Sequence, residues 1–202
     1  MIEQRIADLR AFLEAHDADG AIIVQPENLR YFSGFTGGEG ALVIGLDKAV
    51  LWTDSRYTEQ AVQQSGSWYD IENHQGALAR SIRQSLTDMD LGVAAYEENF
   101  MTHYLYEAIA DGALCGFLPC DMTGLRAVKE SYELEATRKA SQIADQAFSD
   151  LLPYIKPGVT EKRKWPLVLK SNMLLLGSEE KILYDDRRLG QALGHASRYS
   201  QP

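Results

Sequence analysis

Ile2, Ile6, Leu9 and Leu13 return at the three- and four-residue intervals of a single helical face, which predicts an amphipathic first helix with Gly20 after it as terminator. The period then changes. Ala21 to Val24 is continuously apolar and reads as a short buried strand. Pro26-Glu27-Asn28 starts a brief helix carrying Leu29, Tyr31 and Phe32, which breaks at Ser33-Gly34 into a glycine-rich loop, Gly34 to Gly40. Ala41 to Ile44 and Ala49 to Thr53, joined through the turn-like Gly45-Leu46-Asp47-Lys48, predict an antiparallel hairpin. Asp54-Ser55-Arg56-Tyr57 ends that hairpin and opens a helix running to Gln64. A weaker strand over Tyr69 to Asn73, a helix over Leu78 to Leu86, a strand over Leu91 to Tyr96, a helix over His103 to Ala110 and a last strand over Gly116 to Pro119 complete the series. Strands alternating with helices around one hairpin predict an α/β domain with a mixed sheet and helices on both faces, ending near Gly124.

Leu125 to Glu161 breaks this rhythm and reads as one long helix, with Ser131 as N-cap, Glu133 and Glu135 in the first turn, and Pro157-Gly158 as the stop. Ala140, Ile143, Ala144, Ala147, Phe148, Leu151 and Leu152 form an apolar stripe whose small members imply a close neighbour. The helix either closes a single domain or begins a second one.

Composition narrows the partners. The 202 residues are 45% apolar and 24% charged, an ordinary globular balance. A net charge of -9 argues against a nucleic-acid surface or an anionic membrane as partner. The N-terminus lacks a basic region followed by an apolar run, and no stretch approaches the ~20 apolar residues of a membrane span, so a cytoplasmic location is expected. Cys115 and Cys120 flank a strand-like segment and read as small core residues rather than a disulfide or metal site.

Candidate chemistry is sparse. The loop Gly34-Phe35-Thr36-Gly37-Gly38-Glu39-Gly40 follows a helix and precedes a strand, the reverse of a phosphate cradle, so a tight or mobile connection is expected there. His16, His74, His103 and His195 are scattered, without the spacing of a metal-binding helix, and no Gly-x-Ser-x-Gly elbow occurs. Asp54-Ser55-Arg56-Tyr57 places an acid, a fixed cation and an aromatic at a strand end, where α/β domains present functional groups. It serves equally as an Asp N-cap with Arg56 in a local ion pair.

Four segments in register resemble the creatinase/prolidase/aminopeptidase P family: Asn28-Leu29-Arg30-Tyr31-Phe32-Ser33-Gly34-Phe35; Trp52-Thr53-Asp54-Ser55-Arg56-Tyr57 with Gln60-Ala61; Leu125-Arg126 with Lys129 and Glu133; and Ile155-Lys156-Pro157-Gly158-Val159-Thr160-Glu161. The resemblance covers residues 1 to 181. It implies a creatinase-like N-terminal domain over 1–124, followed over 125–181 by the first helices of an incomplete α+β "pita-bread" peptidase domain. It further implies hydrolysis of Xaa-Pro bonds in proline-containing peptides by the full-length proteins, as an aminopeptidase or a dipeptidase, with two divalent metals (manganese or cobalt) bridged by hydroxide. No cofactor is expected on this chain. The family's two Asp, one His and two Glu ligands lie downstream of the Pro-Gly-x-Thr-Glu segment, and Asp185, Asp186 and His195 match none of its metal motifs. The chain is therefore expected to be inactive alone. Phe35, Arg56 and Tyr57 are the substrate-rim candidates, because the N-terminal domains of this family partly cover a catalytic site and contribute to homo-oligomer contacts. A stand-alone binding or oligomerisation module is the alternative.

After Lys181 the resemblance stops. The tail can be back-translated so that reading one base later yields a string containing the family's Pro-His-Gly segment, and Arg163 to Leu167 permits the expected helix continuation in another frame. Residues 182–202 thus read as an out-of-frame tail, arising from a frameshift that truncates the chain or from base-calling errors, with a genuine short protein carrying an unrelated tail as the alternative. An out-of-frame tail is not selected to pack and is expected to be poorly ordered.

Overall fold

A computed structural model of the chain describes residues 1–156 and 161–178, and the chain divides into two compact units, the first spanning Met1–Val128 and the second beginning at Lys129. The first unit is built from α1 (Ile2–Ala15), β1 (Gly20–Ile23), α2 (Pro26–Ser33), β2 (Gly40–Gly45), β3 (Ala49–Thr53), α3 (Thr58–Ser65), β4 (Asp70–Asn73), α4 (Leu78–Asp88), β5 (Val93–Glu97), α5 (His103–Ala110) and β6 (Gly116–Cys120). The six strands form one sheet in the order β4-β3-β2-β1-β5-β6. Only β2 runs against the others, paired antiparallel to both β1 and β3, while β1–β5, β3–β4 and β5–β6 are parallel.

The two-residue alternation of the central strands sorts the core into two layers. Ile23, Leu42, Ile44 and Leu51 face Leu9 and Leu13 of α1, Phe32 of α2 and Ala61 of α3. Ile22, Ala41 and Val43 face Ile82 and Leu86 of α4 and Ile109 of α5. Helices therefore cover both faces, the expected α/β architecture. The two edges are blunted by different means: β4 carries exposed Asp70 and Glu72, and β6 carries Pro119, which has no N–H to offer a further strand.

One local expectation changes at the start of the chain. Helix α1 does not stop at Gly20; the chain turns out of it at Asp17, with φ 54, and Gly20 already belongs to β1. A short acidic side chain tolerates the left-handed conformation that ends a helix. Gly34 does end α2 as expected, with φ 76 and its N–H bonded to Arg30 O. A Cβ there adds left-handed strain and would lie 3.1 Å from the Ile2 side chain, so Gly34→Ala is expected to cost about 1–2 kcal/mol in urea unfolding.

The long helix expected over Leu125 to Glu161 is broken at both ends. Leu125 lies in a 3-10 turn, Thr123–Arg126, whose Leu125 carbonyl accepts the Tyr31 hydroxyl at 3.0 Å, so the front of the stretch belongs to the first unit. In the second unit, α6 (Ser131–Leu151) starts from Glu130 rather than Ser131 as N-cap. Glu130 and Glu133 form a capping box, with Glu130 N donating to Glu133 Oε2 at 2.9 Å. The helix ends before Pro153, which removes an amide donor and turns the chain through a 3-10 segment, Leu152–Tyr154. The expected stop at Pro157-Gly158 lies outside the described residues. Helix α7 (Glu161–Leu175) follows, with Asn172 Nδ2 donating to Ala147 O at 3.4 Å and with Ala147, Leu151 and Met173 buried. Ala140, Phe148 and Leu152, on the stripe expected to find a close neighbour, are exposed. The expected disorder of residues 182–202 also concerns residues outside those described.

Candidate functional site at the carboxyl edge of the sheet

Because β1, β3, β4, β5 and β6 are parallel, the segments that follow them emerge at one edge of the sheet, and the segment entering the reversed β2 starts there too. Side chains at such an edge are held by short, rigid connections. Asp54, Arg56 and Tyr57 follow β3, His74 follows β4, Gln25 follows β1, Glu97 ends β5, and Glu39 precedes β2.

Asp54 closes the turn after β3. Its Oδ1 accepts the Arg56 amide at 2.8 Å, and its Oδ2 accepts Arg56 Nε at 2.9 Å and also Arg56 Nη2. The hydrogen bond from the Arg56 side chain holds the Asp54 carboxyl below the usual range, and the same bond raises Arg56. Asp54 is not the N-cap of α3, whose cap is Tyr57, but the local ion pair considered from the sequence is present. Arg56 Nη2 also reaches Glu39 Oε2 at 3.2 Å, and the guanidinium carbon lies 5.4 Å from the Tyr57 ring centre. Arg56 and Tyr57 are thus brought together, with Arg56 exposed and Tyr57 half-buried.

Phe35, expected at a substrate rim, is 1% exposed and part of the core. Its ring meets Tyr57 edge to face at 6.3 Å, so it buttresses Tyr57 from the core. The glycine loop wraps these rings closely; a Cβ on Gly37 would fall 2.1 Å from Phe35 and one on Gly38 2.9 Å from the Tyr57 hydroxyl. The loop is a tethered connection. Thr36 N donates to Gln64 Oε1 at 2.9 Å, Gln60 Nε2 donates to Thr36 Oγ1 at 2.8 Å, and Thr53 Oγ1 donates to Glu39 O at 2.8 Å.

Glu39, His74 and Glu97 were not singled out from the sequence. The available signal was position: each lies at the end, or just beyond the end, of a strand at this edge. His74 Nε2 lies 3.7 Å from Glu39 Oε1, and its Nδ1 lies 3.1 Å from Gly76 O. Of the remaining histidines, His16 and His103 are exposed, and His103 does have a carboxylate one turn away, with Nε2 3.4 Å from Glu107. His195 is outside the described residues. Glu97 is 2% exposed and accepts Val24 N and Gln25 N at 2.7 Å each on Oε2 and Asn28 Nδ2 at 2.5 Å on Oε1. Burial pushes this carboxyl upward despite those donors. Cys115 and Cys120 carry free thiols, Cys120 buried.

Among the described residues no group of three or more His, Cys, Asp or Glu could hold a metal ion. The two-metal site that the resemblance implies has no counterpart among the described residues. No described helix is long and apolar enough to cross a membrane.

Residues 5–128 match the family model described as Creatinase/Prolidase N-terminal domain. A Bacillus subtilis (strain 168) relative named Uncharacterized peptidase YqhT is 35% identical over 162 residues, which cover 78% of this chain and 45% of that protein. The solved Xaa-Pro dipeptidase from Bacillus anthracis superposes with a TM-score of 0.84 at 28% identity, over 89% of this chain and 51% of that one. The solved N-terminal domain of cytoplasmic peptidase PepQ from Mycobacterium tuberculosis H37Rv aligns with a TM-score of 0.57 at 29% identity, over 61% of this chain and 98% of that domain. The chain spans slightly less than half the length of the Bacillus subtilis relative and of a Mycoplasma genitalium relative.

Proposed function

The chain belongs to the creatinase/prolidase N-terminal domain family, and from that membership we propose that it supplies the N-terminal portion of a proline-specific metallopeptidase, an Xaa-Pro aminopeptidase or dipeptidase. The observation that carries this reading is the match to the Bacillus anthracis Xaa-Pro dipeptidase across 89% of the chain, which extends past the first unit. In this reading, residues 1–124 are the N-terminal domain, 125–181 open the catalytic domain and 182–202 are an out-of-frame tail. Arg56 and Tyr57 form a rim that meets proline-containing peptides, with Phe35 beneath them. Two divalent metals, manganese or cobalt, belong to the complementary half of the enzyme. The protein acts as a cytoplasmic homo-oligomer, in keeping with the cytoplasmic peptidase among its structural neighbours.

The purified chain is expected to show no turnover of Ala-Pro or Ala-Pro-Ala with added manganese. Cleavage of either peptide that a chelator abolishes would overturn the assignment of catalysis to another part of the enzyme. A second reading, a stand-alone binding or oligomerisation module, is favoured by the match to almost the whole of a solved isolated N-terminal domain. Sedimentation distinguishes the two. A discrete dimer or tetramer of the inactive chain favours the module, whereas polydisperse self-association is expected with Phe148 on α6 and Leu152 in the turn after it uncovered.

A further inference from the structure

His74 is surrounded in a way that its neutral form does not satisfy. Its side chain is only 10% exposed. Gly76 O, a carbonyl, can only accept, so the Nδ1 that lies 3.1 Å from it carries hydrogen. A neutral imidazole holds one ring hydrogen, which leaves Nε2 as a lone pair. That lone pair is buried without a hydrogen-bond partner and faces a second acceptor, Glu39 Oε1, at 3.7 Å. An acceptor facing a buried, unsatisfied lone pair calls for a donor between them. Nε2 is sealed from solvent, so no water-sized group reaches it. The donor that fits is a proton on Nε2 itself.

We propose that His74 and Glu39 form a proton-dependent latch on the rim. With the imidazole protonated, Nδ1–H donates to Gly76 O and Nε2–H donates to Glu39 Oε1, while Glu39 Oε2 continues to accept Arg56 Nη2. Glu39 then bridges two cations and is fixed in the tethered loop. With the imidazole neutral, Glu39 faces a lone pair, its side chain turns to solvent, and Arg56 is held by Asp54 alone. The charged and titratable groups around the latch come from three elements. Glu39 approaches from the segment before β2. Asp54, Arg56 and Tyr57 come from the turn after β3, where Arg56 meets the far oxygen of Glu39. Asp70 and Glu72 lie on β4, the strand that leads to His74. The consequence for a peptide substrate rests on the rim reading of Arg56 and Tyr57; the latch itself does not.

The test is a double-mutant cycle in the full chain, comparing Glu39→Gln, His74→Phe and the double variant, at pH 5.5 and pH 8.5. Phenylalanine fills the imidazole's space without ring nitrogens. Urea unfolding followed through the Trp52 indole resonance is expected to show the two positions coupled by about twofold to fivefold in the folding equilibrium at pH 5.5 and uncoupled at pH 8.5, since the carboxylate is half-exposed. Nitrogen-15 spectra of the ring are expected to show Nδ1–H alone at pH 8.5 and both nitrogens protonated at pH 5.5. Equal coupling at both pH values, or an Nε2–H ring at pH 8.5, overturns the latch. Neither measurement uses a substrate, so failure here leaves the peptidase reading standing, and failure of that reading leaves the latch.

Discussion

Replacing Glu97 with alanine is expected to destabilise the first unit by about 3 kcal/mol, while Glu97→Gln costs about 1 kcal/mol. The asymmetry follows from the donors that meet at this carboxylate. Alanine strands the amides of Val24 and Gln25 at the entrance to α2 and leaves the Asn28 amide with Gln25 Oε1 alone as acceptor, at a place almost closed to water. Glutamine keeps one carbonyl oxygen for the two backbone amides. Its new NH2 opposes Asn28 Nδ2, but Asn28 Oδ1 is buried without a partner, and a flip of the Asn28 amide turns that oxygen toward the incoming donor. Urea midpoints of the three proteins check the order. A glutamine variant as unstable as the alanine variant would mean that the charge, through the α2 dipole and Arg126, matters more than hydrogen-bond acceptance.

The same carboxyl makes a pH signature. Burial outweighs the donation from Asn28 and the two amides and raises Glu97 above the usual carboxylate range. A folded-state value above the unfolded one means that the folded chain binds the proton more tightly, so this contribution is full below the unfolded value and is lost as pH rises through the folded one. The wild type is therefore expected to lose stability relative to Glu97→Gln across the window just above the ordinary glutamate range.

Much of the architecture was legible because it rests on local period. Ile22 and Ile23 or Val43 and Ile44 had to face opposite layers once their strands were recognised, and Gly45 to Lys48 had to reverse the chain. The long helix failed where the deciding information was a single residue or a distant partner. Pro153 interrupts an otherwise helical stretch, and Leu125 is claimed by Tyr31, which lies 94 positions earlier in the chain. The candidate site was legible only where its residues were adjacent in sequence. Asp54, Arg56 and Tyr57 share one turn, whereas Glu39 and His74 meet through parallel pairing of β3 with β4 and antiparallel pairing of β3 with β2. Such pairings join residues that no short motif spans. The family resemblance points to Phe35 as a rim residue, but an aromatic beside a glycine loop either projects from the surface or fills the core beneath it, and local pattern does not choose between them.

Phe35 is where the support of Tyr57 is best tested. Phe35→Ala is expected to cost about 3–5 kcal/mol, the range for truncating a buried phenylalanine, because a ring only 1% exposed leaves a cavity that the tethered loop above it cannot readily collapse into. Phe35→Leu is expected to cost about 1 kcal/mol, since most of the volume remains. The functional consequence separates packing from chemistry. Removal of the ring deletes the edge-to-face contact with Tyr57 and the surface on which Gly37 lies, while every Arg56–Asp54 hydrogen bond is left intact. Amide exchange at Gly37 and Gly38 should therefore rise more than at Arg56. If exchange rises equally at all three, or if the alanine variant loses less than about 1 kcal/mol, Phe35 is not what holds Tyr57 and the glycine loop in place, and Tyr57 owes its position to the Asp54–Arg56 turn instead.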